Sequence, residues 1–398
     1  MSASFQVLEG GGADGREWQT LFDAWPGRDL YAHPEYLSLY EEDGGTRLCV
    51  IYHCREGRVI YPILLRKLAT LSYCGRDRED LHDVIASPQG GYGGPFVETT
   101  NGGDKSALLA GFYHEYERWA RAHSVVSEYV TFTPFEEAQF PYPGESSVRM
   151  PVVVRTLDLS PDEIFQDYKK SVRNNIRAAQ KAGVQIEVDF RGDRVDEFLD
   201  IYQQTMNRRG AGAGYHLSSA FKERFNRVLA GHYAYFFARL SGKVVSVELV
   251  TVSAGSIDFF RGGTLAESFP AHPNHLLRHH IILWGCENGK RAYFLGGGND
   301  GEDPLYQYKL SFAPGGRRPL RVGKWVLDHS RYDRLVAARR AYEQDHGFEW
   351  IPKPGYFPEY RAPAATPPVL WSNLAKSSRL LLQAAVVIQN AWKGAFPD

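Results

Sequence analysis

The sequence has little of what marks several large functional classes. It carries four cysteines in 398 residues: Cys49, Cys54, Cys74 and Cys286. None forms a C-x-x-C pair or sits at zinc-ligand spacing from a histidine. That excludes a disulfide-stapled secreted scaffold and speaks against a metal site. Free thiols fit a reducing compartment, so a cytoplasmic location is expected. Net charge is nearly absent, with 46 Lys+Arg against 47 Asp+Glu and a formal balance of -1. Coating nucleic acid by bulk charge is thereby excluded, although a local basic groove is not. No run reaches the roughly 20 apolar residues of a spanning helix. The nearest, Leu380 to Trp392, is shorter and reads as an amphipathic packing helix. Met1 to Gly15 has no basic start and no apolar run, so no signal peptide is expected. Also missing are the phosphate loop G-x-x-x-x-G-K-[ST], the elbow G-x-S-x-G, the zinc helix H-E-x-x-H, and a G-x-G-x-x-G between strand and helix. A Gly-rich turn with basic flanks opening a helix, the usual acyl-CoA pattern, is not found either.

What is present is an ordinary globular composition, 43% apolar and 23% charged, with length for roughly two to three domains. Aromatic residues reach 13%, including 23 Tyr and 8 Trp. Such a content leans towards pockets that grip organic groups, and filling two cores explains it equally well.

Strands are expected at Arg47–His53 and Val59–Lys67, split by Glu56-Gly57, and from Val126. Ala107 to Ala122 has helical periodicity. Near Pro151 a second unit begins with the strand VVVRTLDL. Ser160-Pro161-Asp162-Glu163 then carries an N-cap, a proline at the first helical position and a glutamate three residues after the cap. The helix YKKSVRNNIRAAQKAG ends at Gly183. Three strands follow between Ala234 and Thr264, turning at Ser241-Gly242 and Ala254-Gly255. An apolar helix, His275 to Asn288, leads to a strand ending in Gly296-Gly297-Gly298. Past Val322 the chain reads as irregular, with a helix over Asp328–Gln344. Pro352, Pro354, Pro358, Pro363, Pro367 and Pro368 then mark an extended linker. Both halves read as a few helices around a mostly antiparallel sheet, an α+β class. The expected division is 1–150, 151–327, and a C-terminal helical, proline-rich extension over 328–398.

Three clusters could carry chemistry. Lys169, Arg173, Arg177 and Lys181 recur every four residues, a stripe able to hold a phosphodiester backbone, or merely a solvated face. Arg208-Arg209 precede a glycine-rich loop with Tyr215, and two guanidiniums there suit phosphate or carboxylate. In LYQYKLSF, read as a strand, Tyr306, Tyr308, Leu310 and Phe312 fall on one side and Lys309 on the other. A half-buried lysine needs a partner or a task, whereas an exposed edge lysine only discourages aggregation. Phe260, in the strand FFRGG, is a further candidate for the substrate cleft.

SPQGGYGGP at Ser87, SVRNNIRAAQKAGV at Ser171, PNHLLRHHIILWGCENGKRAYFLGGG at Pro273 and LYQYKLSFAP at Leu305 follow one another in an order that resembles the FemABX family of aminoacyl-tRNA-dependent transferases. The resemblance spans about Asp83 to Pro314. The long helical arm of some members is not visible. The resemblance implies two GNAT-like (acyl-CoA N-acyltransferase-like) domains side by side. It implies transfer of an amino acid from a tRNA ester to an amine, without a further cofactor. The acceptor would be a cell-wall precursor or a small molecule of a specialised pathway. It assigns Lys309 to stabilising the reacting carbonyl and Tyr308 to the aromatic position before it. Arg208 or Arg209 would hold acceptor phosphates, beside Tyr215, Tyr306 and Phe260, and the stripe from Lys169 to Lys181 would meet the tRNA acceptor end. His279, His280 and Asp83 are candidates for the proton acceptor. A monomer is expected. An acyl-CoA-dependent N-acyltransferase and a non-enzymatic precursor-binding protein remain alternatives.

Overall fold

Runs rich in β-branched and aromatic residues make the strands, several of them buried on both faces, and one mixed sheet gathers all those described. The computed structural model describes residues 3–41, 45–74, 80–86, 91–135, 141–212, 219–299 and 301–363. Its strands are β1 (Ser4–Glu9), β2 (Gly45–Cys54), β3 (Gly57–Lys67), β4 (His82–Ile85), β5 (Phe96–Thr99), β6 (Val125–Thr131) and β7 (Glu145–Thr156). There follow β8 (Gln185–Asp189), β9 (Tyr233–Leu240), β10 (Lys243–Val252), β11 (Ser256–Thr264), β12 (Ala292–Gly296) and β13 (Arg317–Val326). The spatial order is β1-β2-β3-β4-β6-β13-β7-β12-β11-β10-β9-β8, with β5 paired to β3.

The helices are α1 (Gly12–Asp23), α2 (Pro34–Ser38), α3 (Lys105–Ala122), α4 (Pro161–Asp167) and α5 (Lys170–Lys181). The second set is α6 (Val195–Arg209), α7 (Ser219–Val228), α8 (Pro273–Glu287), α9 (Pro304–Leu310) and α10 (His329–Asp345). Local chemistry sets their ends. Ser160 and Glu163 close a capping box on α4, with Pro161 at its first position. Gly183 and Gly289, at φ +80 and +67, lie in the left-handed region just past α5 and α8.

Each half contains one parallel pair among antiparallel neighbours. In the first, β4 and β6 run parallel with α3 between them in sequence. In the second, β11 and β12 do so, linked through α8. Helices cover both faces of the second half. One core packs α5, α8 and α9 through Val172, Ile176, Ile281 and Tyr306. The other packs α6 and α7 through Phe198, Tyr202 and Phe225. Among the described residues no helix is long and apolar enough to cross a membrane.

Three expectations are corrected. The stretch read as irregular past Val322 is the end of β13, which pairs with β6 on one side and β7 on the other. Strand pairing thus joins the halves. LYQYKLSF is not a strand but the helix α9, because Asp303 caps it and Pro304 starts it. The prolines up to Pro363 do not mark a free linker. Trp350, Tyr360 and Ala362 are buried, and Arg361 ion-pairs with the buried Asp83 at 2.5 Å. The expected helix over Leu380–Trp392 lies outside the described residues, as does most of the extension.

Candidate active site

The parallel strands β11 and β12 pair only over Ser256–Asp258 and Ala292–Phe294. Both then continue, to Thr264 and Gly296, along different neighbours: β11 follows β10 and β12 follows β7. Register shifts at Leu249/Val250 and at Phe294/Gly296 lie beside this point, where extra residues bend the strands. The two strands therefore part just beyond Asp258 and Phe294.

Lys309 sits in that parting. It is only 5% exposed. Its Nζ donates to the Gly297 carbonyl at 2.7 Å and lies 5.0 Å from the centre of the Phe259 ring. The ammonium thus touches the loop leaving β12 on one side and β11 on the other. Among the described residues it has no ion-pair partner. Burial is the main cause that lowers its pKa to about 7, helped by the nearby Arg278 charge and opposed by Glu248 and Asp303.

The glycine loop fits around this lysine and its helix. Gly296 has φ +76, a left-handed conformation. A Cβ on Gly298 would stand 2.2 Å from Asp303 Oδ1, in the way of the cap on α9. Asp303 accepts from the Tyr306 amide through Oδ1 at 2.8 Å and from the Asn299 amide through Oδ2 at 2.9 Å, which fixes the loop to the helix.

A buried ion pair supports the same place. Arg278 of α8 donates to Glu248 of β10 at 2.8 Å, and both are nearly enclosed. The Tyr293 hydroxyl donates to the other Glu248 oxygen. The Arg278 guanidinium lies 5.0 Å from the Tyr308 ring centre and 5.4 Å from Phe259. The Tyr308 hydroxyl accepts from Asn274 Nδ2 at 2.9 Å. Tyr308 is half-buried, one residue from Lys309, and its ring packs on His275.

The other residues singled out in the sequence fall in different places. Tyr306 is fully buried on α9 among apolar side chains, a core position rather than a cleft wall. Phe260 is buried on β11 and stacks on Phe225 at 5.0 Å. The strand alternation that grouped Tyr306 with Tyr308 does not apply on a helix, which instead buries Tyr306 and Lys309 three residues apart. Arg208 and Arg209 are exposed in the last turn of α6, with the Arg208 guanidinium 5.1 Å from the exposed Phe269 ring. Tyr215 lies outside the described residues.

In the basic stripe, Lys169 is the N-cap of α5 rather than a member of its face. Arg173 turns back, donating to the Gln166 carbonyl at 2.7 Å and to that of Tyr168. Arg177 is exposed over the Phe165 ring, and Lys181 is exposed.

Of the proton acceptors considered, Asp83 is locked between Arg66 and Arg361. Burial raises its pKa, but the two guanidiniums outweigh it and hold the carboxyl below its usual range. His279 is held near 4 chiefly by burial, with the His280 charge adding to it, and it contacts Tyr168 and Phe165. His280 packs by Phe236. These are packing positions.

Sequence reasoning passed over Glu248, Arg278, Tyr293 and Asn274. The signal was available for two of them. Arg278 is a lone cation on the apolar face Leu277, Ile281, Ile282, and Glu248 is a lone carboxylate in the strand VVSVELV. A charge in such a run has to find its opposite.

Residues 166–310 match the protein-family model described as an acetyltransferase (GNAT) domain. No curated protein matches the sequence. Among solved structures, FemX is similar at 12% identity and TM-score 0.60, over 84% of this chain and 99% of its own. A tandem GNAT protein from the clavulanic acid biosynthesis pathway is similar at 11% identity and TM-score 0.44, over 81% and 99%. A conserved protein of unknown function from Bacteroides thetaiotaomicron is similar at 11% identity and TM-score 0.47, over 78% and 96%. At such identities the likeness to FemX is one of fold. Together with the matched domain it shows an α+β fold with GNAT-like domains in a doubled arrangement, related to the GNAT acyltransferase superfamily.

Proposed function

We propose that this chain forms an amide by moving the amino acid of an aminoacyl-tRNA ester onto an amine of a cell-wall precursor or a small specialised molecule. The observation that carries this reading is the buried ammonium of Lys309 where β11 and β12 part, without an ion-pair partner among the described residues. An ester is already activated and needs no nucleophilic side chain. The amine lone pair attacks the ester carbonyl carbon, and negative charge grows on its oxygen. Of the three donors on the Lys309 ammonium, Gly297 takes one, which leaves two for that oxygen. The carbon–oxygen ester bond then breaks, the tRNA hydroxyl leaves with a proton, and the amine sheds one. A low-dielectric surrounding strengthens Lys309 in this task, and the paired Arg278 and Glu248 hold Phe259 and Tyr308 around it.

In this reading the exposed Arg177 and Lys181 meet the tRNA acceptor end, and Arg208 with Arg209 meets acceptor phosphates. The test is incubation of the full chain with mixed charged tRNAs and candidate amines, read by mass. Amide formation abolished by RNase supports the proposal. A second reading has its own support: the matched domain is described as an acetyltransferase, so the donor would be an acyl-CoA thioester. Product formed from acyl-CoA and insensitive to RNase would select it.

A further inference from the structure

Asp258 occupies the last paired rung of β11 and β12, opposite Phe294. By strand alternation its side chain shares the face of Phe260 and turns away from Phe259 and Lys309. It is 1% exposed, and neither carboxyl oxygen has a hydrogen-bond partner. The Tyr92 hydroxyl is close by, but its proton is given to Asp29. The buried hydroxyl of Thr251, directly across the antiparallel ladder, is also unpartnered.

The second carboxyl, Asp29, is brought to the same place from the first half of the chain. The Leu30 amide donates to Ser253 Oγ at 2.9 Å, and the Ala254 amide to the Arg28 carbonyl at 3.0 Å. These bonds hold Asp29 beside the turn between β10 and β11. Asp29 is partly exposed and accepts from the Tyr92 hydroxyl and the Tyr31 amide, both at 2.9 Å. Aromatic rings close the sides: Tyr31 and Tyr92 are 4.3 Å apart, and Tyr92 lies 5.9 Å from Phe294 and 5.5 Å from Phe135. Neither carboxyl has an ion-pair partner among the described residues. Burial lifts Asp29 to about 6, and burial together with the Asp29 charge holds Asp258 well above the ordinary carboxylate range.

Two carboxyls stand here beside a buried hydroxyl and several rings, with no cation paired to them among the described residues. A primary ammonium has three donors, enough for the bare oxygens of Asp258 and for Asp29 or Thr251. Its alkyl stem and charge both suit aromatic faces. An anion would be repelled, and a neutral hydroxyl would leave the Asp29 charge uncompensated.

We propose that Asp29 and Asp258, with Tyr31, Tyr92 and Phe294, bind the alkylammonium group of the acceptor. Calling the ligand the acceptor rests on the acyl-transfer reading; the binding itself does not. The test is calorimetry on the full chain at neutral pH with n-pentylamine, n-pentanol and pentanoate, without any acyl donor. Pentylamine should bind and the other two should not. Asp258→Asn and Asp29→Asn should each weaken pentylamine about tenfold or more, as expected when a charge-assisted hydrogen bond is removed. Asp258→Asn should also melt no lower than the parent in the absence of amine, since it removes an unpaired buried carboxyl. Equal binding of pentanol, unchanged amine affinity in Asp258→Asn, or a lowered melting temperature for that variant overturns the proposal. Amine binding without any amide product would remove the transfer reading and leave this site standing. Amide product without amine binding would do the reverse.

Discussion

Replacing Lys309 with methionine should make the protein inactive and more stable at once. The lysine has an ordinary pKa of 10.5 and is held at about 7. Keeping a partly charged amine there costs the folded state about 4 kcal/mol at neutral pH. Methionine has similar length, carries no charge and fits against Phe259. Its cost is the Gly297 carbonyl, which loses its donor at 2.7 Å, a penalty of about 1–3 kcal/mol. The net is a gain of about 1–3 kcal/mol, seen as a melting temperature a few degrees higher. Loss of an oxyanion donor costs about 2.7–4 kcal/mol in the transition state, or about 100- to 1,000-fold in turnover. The assays are thermal melting and single-turnover transfer from charged tRNA, read by mass. Turnover within about threefold of the parent would remove the assigned role, for which no smaller loss is expected. A lower melting temperature would show that Lys309 serves the core and that the balance of charge against hydrogen bond is wrongly drawn.

Turnover that needs the Lys309 ammonium should fall as pH rises through about 7, and Lys309→Arg should remove that limb of the profile. The folded lysine binds fewer protons than the unfolded one between about 7 and 10.5, so the stability gap to Lys309→Met should close as pH rises across that window. Glu248→Gln leaves Arg278 buried without its counter-charge and should cost about 3–5 kcal/mol in urea unfolding, most of it regained in Glu248→Gln with Arg278→Met. Asp83→Asn should lower stability, the more so above the depressed pKa of the carboxyl, while transfer per folded molecule stays at the parental rate. Charge reversal of Arg177 and Lys181 should flatten the salt dependence of tRNA binding by about 0.7–0.9 in log–log slope for each phosphate they would neutralise; an unchanged slope returns them to a solvated surface.

Local rules were enough for elements whose ends carry their own chemistry. The capping box at Ser160, the left-handed Gly183 and the tight turn at Ser241-Gly242 are legible because they depend on near neighbours. α9 was missed although Asp303-Pro304 states a helix start, because the alternation of Tyr306, Tyr308, Leu310 and Phe312 suggested a strand. Seven residues fit either period, and the cap decided it. β13 was missed for another reason. Its partners, β6 and β7, lie far upstream, and RRPLRVGKWV carries a proline and four cations. Lys309 could be picked out, but the direction it faces could not. That followed only from the helix, the parting of β11 and β12, and the carbonyl of Gly297.

The near-zero net charge conceals where charge is buried. On one face of the β11–β12 rung stand Lys309 and Arg278 against one carboxylate, Glu248; on the other stand Asp29 and Asp258 with no cation among the described residues. Phe259 and Asp258 are adjacent in sequence, so the change of sign happens across a single backbone unit. Each excess is costly alone, since a buried unpaired charge is stabilised by neither water nor a partner. A fold shaped by stability alone would have paired them or replaced them with apolar groups. The two proposals together account for the separation: an ammonium of the acceptor, distinct from the neutral amine that attacks, would balance the Asp29–Asp258 face, and the ester oxygen would balance the Lys309 face as charge develops on it.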